Sequence, residues 1–272
     1  MNYSARLLII VLFIGMAVQN SYGADTIRVA GSGGMIPLVT ELAKAYMAEH
    51  KNVVIEINQK SIQSAGGIMG AAEGRLDIGM ANRDLKDKEK TLGLQVVEIA
   101  RVAVVIGVNK GVAIRDITTE NLCKIYSSKI TTWKDLGGNG EKIAAFTKPD
   151  SDATKETLRK KIKCFAELRE PESVVVVQTS PEMAKILANR AGSIGFTDAV
   201  TVDDSNGAIV ALKLEGAAPT PENVRNGKYR ETQVFTLVTR GQPAGSIREF
   251  IDFVKSPRGA KIIEANKAVV IK

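Results

Sequence analysis

Four short polar segments of this chain are placed where an anion could be held. They are Gly31-Ser32-Gly33-Gly34, residues 61–67 (SIQSAGG), Asn82-Arg83 and residues 150–154 (DSDAT). Each follows a predicted strand or begins a predicted helix. A helix start offers unpaired backbone N–H groups and the positive end of the helix dipole, and glycine lets a bound group come close to the backbone. The segments therefore predict a set of anion-binding turns.

The first segment differs from known nucleotide-binding loops, and the third contains a residue that adds a positive charge. The glycine-rich turn at residues 31–34 matches neither GxGxxG nor a phosphate-binding loop with Lys-Ser/Thr, so nucleotide binding is not favoured. Arg83 can grip an oxyanion with two parallel hydrogen bonds. The alternative is a surface arginine paired with Asp84 or Glu73. For residues 150–154, the alternative is a cluster that only caps the next helix.

The elements that must position these segments alternate along the chain. This alternation predicts an α/β fold with mostly parallel sheets, in which ligands bind at the carboxyl ends of strands. The run 96–108 is long enough to cross between two lobes. The predicted strands are 26–30, 53–58, 76–80, 96–108, 142–146, 174–178, 193–196 and 234–239, and the main predicted helices are 35–50, 64–73, 84–92, 118–126, 155–168, 180–189, 246–255 and 257–265.

The first 23 residues are typical of a secretory signal peptide. A short basic start precedes a 12-residue apolar run at 7–18, and small residues stand just before Ala24. A membrane-spanning helix would need about 20 apolar residues. We therefore expect export, with cleavage near Gly23/Ala24. No cysteine lies near that point, so a lipid-anchored form is not expected.

Composition and cysteine content narrow the function classes. The net charge of +7 comes without a dense Lys/Arg run, so nucleic-acid binding is not expected, whereas a positive field favours small anions. The single histidine, His50, and the lack of a nucleophile–base or metal-ligand pattern argue against an exported hydrolase and predict no cofactor. An oxidising compartment permits a Cys123–Cys164 disulfide; the alternative is two buried free thiols.

Several stretches resemble one family closely. The chain is similar to the PstS-like phosphate-binding family of type II periplasmic binding proteins over nearly its whole mature length, in GSGGMIPLVTELAKAY, SAGGIMGAAEGRLDIGMANRDLKDKEKTLGL, LCKIYSSKITTWKDLGG, GSIGFTDA, PTPENVRNGKY and FTLVTRGQPAGSIREFIDFVKSPRGAKII. The resemblance implies a periplasmic monomer of two α/β lobes, joined by two crossing strands, that closes on inorganic phosphate or a similar oxyanion and delivers it to the membrane subunits of an ABC importer. We place residues 24–104 and 203–272 in lobe 1 and residues 105–202 in lobe 2.

The resemblance also implies which residues hold the anion, with departures from the family pattern. Gly33 and Gly34 stand where serine or threonine is usual, which predicts a wider pocket. Asn82 replaces a serine, and Lys148 stands near the usual arginine. The candidate ligand-binding residues are Ser32, Gly33, Gly34, Ser64, Asn82, Arg83, Ser151, Asp152 and Thr154.

Asp152 bears on which anion is bound. A carboxylate that faces the ligand repels it unless the ligand donates a proton, which hydrogen phosphate can do and sulfate at neutral pH cannot. If Asp152 instead turns away to cap the following helix, it carries no information on the ligand. Sulfate, molybdate, tungstate or a small organic anion remain alternatives to phosphate.

Overall fold

The computed structural model describes residues 24–271, so the predicted signal peptide lies outside the described residues. The predicted α/β fold is confirmed. The strands are β1 (Asp25–Gly31), β2 (Val53–Ile57), β3 (Ile78–Ala81), β4 (Leu94–Asn109), β5 (Asp116–Ile117), β6 (Ala144–Thr147), β7 (Val175–Val176), β8 (Ser193–Asp198), β9 (Ile209–Ala211), β10 (Lys213–Leu214), β11 (Thr232–Arg240) and β12 (Val269–Val270).

Helices connect most of these strands. A 3-10 turn at Gly33–Met35 leads directly into the first helix, and a second such turn covers Trp133–Leu136. The α-helices are α1 (Ile36–Glu49), α2 (Gln63–Ala72), α3 (Asp87–Lys90), α4 (Thr119–Tyr126), α5 (Ala153–Lys161), α6 (Lys163–Ala166), α7 (Ser180–Asn189), α8 (Ala199–Asp204), α9 (Pro221–Arg225), α10 (Gly245–Lys255) and α11 (Pro257–Ala265).

The main sheet is mixed and is built around the 16-residue strand β4. Its strand order is β2-β1-β3-β11-β4-β8-β6-β7, and β9 and β12 also pair with β4. The outer strands pair in parallel, as βαβ connections require, whereas β11, β8, β9 and β12 run antiparallel to β4. The predicted parallel pairing of strands is therefore observed at the two ends of the sheet, whereas the strands at its centre are antiparallel.

Strand β4 passes from one part of the molecule to the other. Its residues 94–103 pair with β11, and its residues 104–108 pair with β8. We call the part built on β2, β1, β3, β11 and residues 94–103 the first lobe, and the part built on residues 104–109, β8, β6, β7 and β9 the second lobe. The predicted crossing by the long apolar run is thus observed, and β11 begins at Thr232, opposite Ala103.

The exact lobe boundaries stay a prediction, but hydrogen bonding bears on the second of them. Strand β9 pairs with β4 at residues 107–109, and β10 pairs with β5. Residues 209–214 therefore lie with the strands of the second lobe, whereas the predicted boundary after residue 202 assigns them to the first. The chain returns to the first lobe beyond these strands, where Thr232 of β11 pairs with Ala103.

The predicted helix over 155–168 is instead two helices, α5 and α6, and the break between them brings a cysteine within reach of the disulfide. Ile162 is buried in an extended conformation between α5 and α6. The turn that follows brings Cys164 to Cys123 on α4, with their Cα atoms 6.3 Å apart, and the two sulfurs are bonded. Of the two alternatives for these cysteines, the disulfide is therefore the one observed.

Replacing both cysteines by serine is expected to lower the free energy of unfolding by about 4 kcal/mol, because the bond closes a loop of about 42 residues in the unfolded chain. Urea unfolding of the oxidised protein and of the double variant measures this difference. Reduction of the unaltered protein should reproduce the loss. An equal stability of oxidised and double-variant protein would contradict the expectation.

Candidate functional site

One small cavity lies between the two lobes, and both contribute to its wall. Its volume is about 70 Å³. Sites for drug-sized ligands measure roughly 300–1,000 Å³, so this cavity suits a small solute. Most of the residues around it have polar side chains. They are Ser32, Gly33, Ser61, Gln63, Ser64, Ala65, Asn82, Arg83 and Lys86 from the first lobe, and Ser151, Asp152, Ala153, Gln178, Thr179 and Ser180 from the second.

Most of the predicted ligand-binding residues come together at this cavity. Two do not line it. Gly34 packs against the second lobe, and Thr154 is completely buried, with a hydroxyl that has no hydrogen-bond partner among the described residues. The predicted residues that line the cavity are Ser32, Gly33, Ser64, Asn82, Arg83, Ser151 and Asp152.

Four helices begin at the cavity wall. Gly33 opens the turn that continues into α1, α2 begins at Gln63, α5 follows Asp152, and α7 begins at Ser180. The first backbone N–H groups of each helix have no partner within the helix, and the helix dipole adds partial positive charge there. The cavity is therefore surrounded by hydrogen-bond donors, as the spacing of polar segments predicts.

Asp152 caps a helix and faces the cavity at the same time. Its Oδ1 accepts hydrogen bonds from the backbone N–H groups of Thr154 and Lys155, at 2.8 and 3.2 Å. Its Oδ2 lies 3.6 Å from the ammonium group of Lys148. The capping alternative is thus observed for one oxygen, and the second oxygen takes no part in the cap.

Arg83 is held in place by an acid that was not among its predicted partners. Its guanidinium makes two parallel hydrogen bonds to Glu89, at 2.7 and 2.8 Å, and a third to the carbonyl oxygen of Asp84. The alternative in which Asp84 or Glu73 pairs with Arg83 through a carboxylate is therefore wrong. These bonds hold the pKa of Glu89 below its usual value. A guanidinium has five N–H donors, so two remain for a ligand.

The glycines at 33 and 34 do not widen the pocket, which corrects the prediction. A Cβ atom at Gly33 would lie 2.6 Å from Pro181 Cδ, and one at Gly34 would overlap the carboxylate of Asp198. Pro181 and Asp198 belong to the second lobe, and Ser61 of the first lobe also lies within 3.0 Å of a Cβ atom at Gly33. The space that a side chain would occupy is already filled, because the absence of Cβ lets the lobes come this close together.

Gln63 adds a hydrogen bond across the mouth of the cavity. Its side-chain amide donates to the carbonyl oxygen of Gln178 in the second lobe, at 3.3 Å. Its φ angle of 61° lies in the left-handed region that non-glycine residues rarely adopt. Such strain persists only where the surroundings hold it, and it is common at ligand-binding positions. Together with the glycine contacts, this bond defines a closed arrangement of the two lobes.

A buried polar cluster lies behind the second-lobe side of the cavity. Lys148 is completely buried, and its ammonium donates to Ser180 Oγ at 2.7 Å. Because Ser180 accepts this bond, its own hydroxyl hydrogen is free to donate elsewhere, and Ser180 lines the cavity. Asp198, also completely buried, accepts from the backbone N–H and the hydroxyl of Thr201, at 2.8 and 3.1 Å.

Burial raises the pKa of Asp198 from 3.8 to about 6. The Thr201 hydrogen bonds and the charge of Lys148 lower this pKa, and the charge of Asp152 raises it further. Between these two pH values the folded protein binds a proton that the unfolded chain does not. The contribution of Asp198 to the free energy of unfolding is therefore fully present below about pH 4 and is lost as the pH rises through about 6. This free energy falls by about 3 kcal/mol across that range.

We expect Asp198→Asn to remove this dependence. Urea unfolding of both proteins from pH 4 to pH 8 measures it, and the quantity of interest is the difference between them, since acids with lowered pKa values such as Glu89 contribute equally to both. The unaltered protein should lose stability relative to the variant as the pH rises from 4 to 6. Parallel curves would contradict the assignment.

The segment Gln178-Thr179-Ser180 is part of the cavity wall but was not among the predicted site residues. Its sequence carries the same signal as the others, since a predicted strand ends at Gln178 and Ser180-Pro181 begins a predicted helix. Ser61, Gln63 and Lys86 were also missed. Of these, only Ser61 and Gln63 stand in a segment that the sequence singled out.

Comparison with known proteins identifies the family to which this fold belongs. The PBP superfamily domain matches residues 17–258. The chain belongs to the PBP superfamily. It is 29% identical over 249 residues to the phosphate-binding protein PstS of Bacillus subtilis, which covers 91% of this chain and 81% of that protein. The predicted PstS-like resemblance is therefore confirmed.

Solved structures of this superfamily share the fold. A crystal structure from Clostridium perfringens, described as a phosphate ABC transporter substrate-binding protein with bound phosphate, has a TM-score of 0.79 and 30% identity, covering 91% of this chain and all of that one. An ABC-type phosphate transport receptor from Vibrio cholerae has a TM-score of 0.64 and 27% identity, with 89% and 99% covered. The predicted two-lobed, type II binding-protein fold is confirmed.

Proposed function

We propose that this protein is an extracytoplasmic solute-binding protein that captures phosphate between its lobes and delivers it to an ABC importer. The observation that carries the proposal is the cavity itself. It combines helix starts from both lobes, the two free N–H donors of Arg83 and the acceptor oxygen of Asp152. The relatives named for phosphate binding and phosphate transport support the same ligand.

The donors present are sufficient for a tight complex with a small oxyanion. A hydrogen bond to a charged group contributes about 1.5–3 kcal/mol net. A micromolar complex needs about 8 kcal/mol. Several bonds of this kind, from Arg83, the hydroxyl of Ser180 and the backbone N–H groups at the helix starts, reach that value after the costs of association.

Asp152 favours phosphate over sulfate in this proposal. Asp152 lines the cavity, and its Oδ2 takes no part in the helix cap. Hydrogen phosphate can donate its proton to this oxygen, whereas sulfate would meet it as a repelling charge.

Export, the monomeric state and the absence of catalysis belong to the same proposal. The apolar run at 7–18 supports export of the mature chain. No helix in the described range 24–271 is long and apolar enough to cross a membrane. A binding protein that hands over its ligand unchanged needs only the closure of its lobes, and the donors of this cavity serve that purpose.

Calorimetric titration of the mature, phosphate-stripped protein with phosphate, sulfate, molybdate and arsenate tests the proposal. We expect phosphate and its close analogue arsenate to bind and sulfate to bind far more weakly. Arg83→Ala should lower the phosphate affinity by at least about tenfold, since it removes two charged donors and leaves the buried Glu89 unpaired. Sulfate or molybdate binding without phosphate binding would overturn the ligand assignment.

A further inference from the structure

A row of three buried polar side chains leads from the cavity to the crossing region of the sheet. Ser64 and Asn82 line the cavity, and Gln233 lies behind Asn82 on β11, opposite Val102 of β4. Ser64 Oγ is 2.6 Å from Asn82 Oδ1, and Asn82 Nδ2 is 3.2 Å from Gln233 Oε1. All three are at most 6% exposed, so their hydrogen bonds must be made with other protein groups or with a ligand.

In the arrangement observed, Ser64 has no hydrogen left for an anion. Its hydroxyl accepts from the backbone N–H of Asn82 at 3.2 Å and donates its only hydrogen to Asn82 Oδ1. At the far end of the row, Gln233 Nε2 is buried without a partner among the described residues. In this arrangement the row therefore leaves the buried Gln233 donor without a partner, and Ser64 supplies no hydroxyl donor to the cavity.

The same three side chains have a second arrangement of identical shape. When both amide groups turn over, Gln233 Nε2 donates to Asn82 Oδ1, and Asn82 Nδ2 donates to Ser64 Oγ. Ser64 then accepts from both Asn82 nitrogens, and its hydroxyl hydrogen points to a new acceptor. Gln233 Nε2 then has a partner, Gln233 Oε1 takes over the position without one, and a hydroxyl donor appears at the cavity wall.

We propose that Ser64, Asn82 and Gln233 form a two-state hydrogen-bond relay, in which a bound oxyanion selects the state with Ser64 as its donor. An oxyanion accepts a hydrogen bond from Ser64 only in the second state, and such a difference between states is the condition for a ligand to shift the equilibrium. Gln233 is then a positioning residue that acts on the ligand through Ser64. The inference rests on the proposed oxyanion-binding function.

Gln233→Glu tests the relay, because an ionised carboxylate can only accept hydrogen bonds. Asn82 must then donate to it, so Oδ1 of Asn82 stays on Ser64 and the serine hydrogen stays bound. The measurement is the dissociation constant of inorganic phosphate at pH 8 for the unaltered protein, Gln233→Glu, Ser64→Ala and the double variant. We expect Ser64→Ala and Gln233→Glu each to weaken binding by about tenfold.

The double variant separates the relay from a structural or purely electrostatic role of Gln233. If Gln233 acts through Ser64, adding Gln233→Glu to Ser64→Ala changes the affinity by less than about twofold, because interacting residues give non-additive effects. If the introduced charge acts on the anion directly, the tenfold loss persists in the Ser64→Ala background, and the relay is overturned. An unchanged affinity of Ser64→Ala would overturn it as well.

Two further outcomes are distinguished by the same measurements. Where Gln233→Glu does not fold, Gln233→Met replaces it in the cycle, and its effect on affinity must likewise vanish in the Ser64→Ala background. Where the unaltered protein binds no oxyanion at all, the proposed function fails at the first titration, and the relay fails with it. Phosphate binding by the unaltered protein with additive variants overturns the relay alone.

Discussion

Replacing Gly34 by alanine is expected to lower the phosphate affinity by about 5- to 150-fold, which corresponds to the roughly 1–3 kcal/mol of an overpacked contact. The added methyl group would overlap the Asp198 carboxylate of the opposite lobe and approach Ser180 Oγ at 3.7 Å. Asp198 is fixed by Thr201 and cannot turn aside without losing those bonds. The lobes must therefore stay further apart, and the donors of the second lobe reach the ligand less well.

Gly140→Ala is the matched control for this experiment. Gly140 has no atom within 4 Å of the position of an added Cβ, and its φ angle is not in the left-handed region. It should bind phosphate as the unaltered protein does. A second variant identifies the obstructing group, since Asp198→Ala removes the carboxylate and should reduce the penalty of Gly34→Ala. Equal affinities of Gly34→Ala and Gly140→Ala would show that closure does not depend on this contact.

The glycines also show why the sequence predicted the position of the candidate site better than its shape. A strand, a polar turn and a helix start are neighbours in the chain, so the four segments that hold Ser32, Ser64, Arg83 and Asp152 could be recognised from local pattern alone. What fills the space next to Gly34 comes from Asp198, far along the chain, and only the fold brings the two together. From the sequence alone, the absence of a side chain at this position therefore predicts a wider pocket, and that prediction is wrong.

The same limit applies to the polar networks behind the cavity. Arg83 pairs with Glu89 because a short helix turns that acid back toward it, and Gln233 reaches Asn82 because β11 pairs beside β3. Neither contact can be predicted from the spacing of residues along the chain. The fold class and the crossing strand were predictable, because apolar runs and helix starts report local structure, whereas the partner of a buried charge depends on packing between distant segments.

Lys148→Met is expected to lower both stability and phosphate affinity. The variant leaves the carboxylates of Asp152 and Asp198 without their buried countercharge, which destabilises a protein by roughly 3–5 kcal/mol. It also frees Ser180 from the bond that directs its hydroxyl hydrogen away from Lys148. The uncompensated negative charge then faces the anion, and the affinity should fall by at least about 30-fold.

Lys155→Met separates the two effects, because Lys155 is the same kind of residue in a different place. Its side chain is 3% exposed and paired with Glu170 and Asp150, at 2.6 and 3.0 Å, but it does not line the cavity. It should lose stability by a similar amount and keep its affinity for phosphate. Urea unfolding and calorimetry of both variants, at a temperature where both are folded, give the comparison. Equal losses of affinity would mean that Lys148 supports the fold and not the ligand.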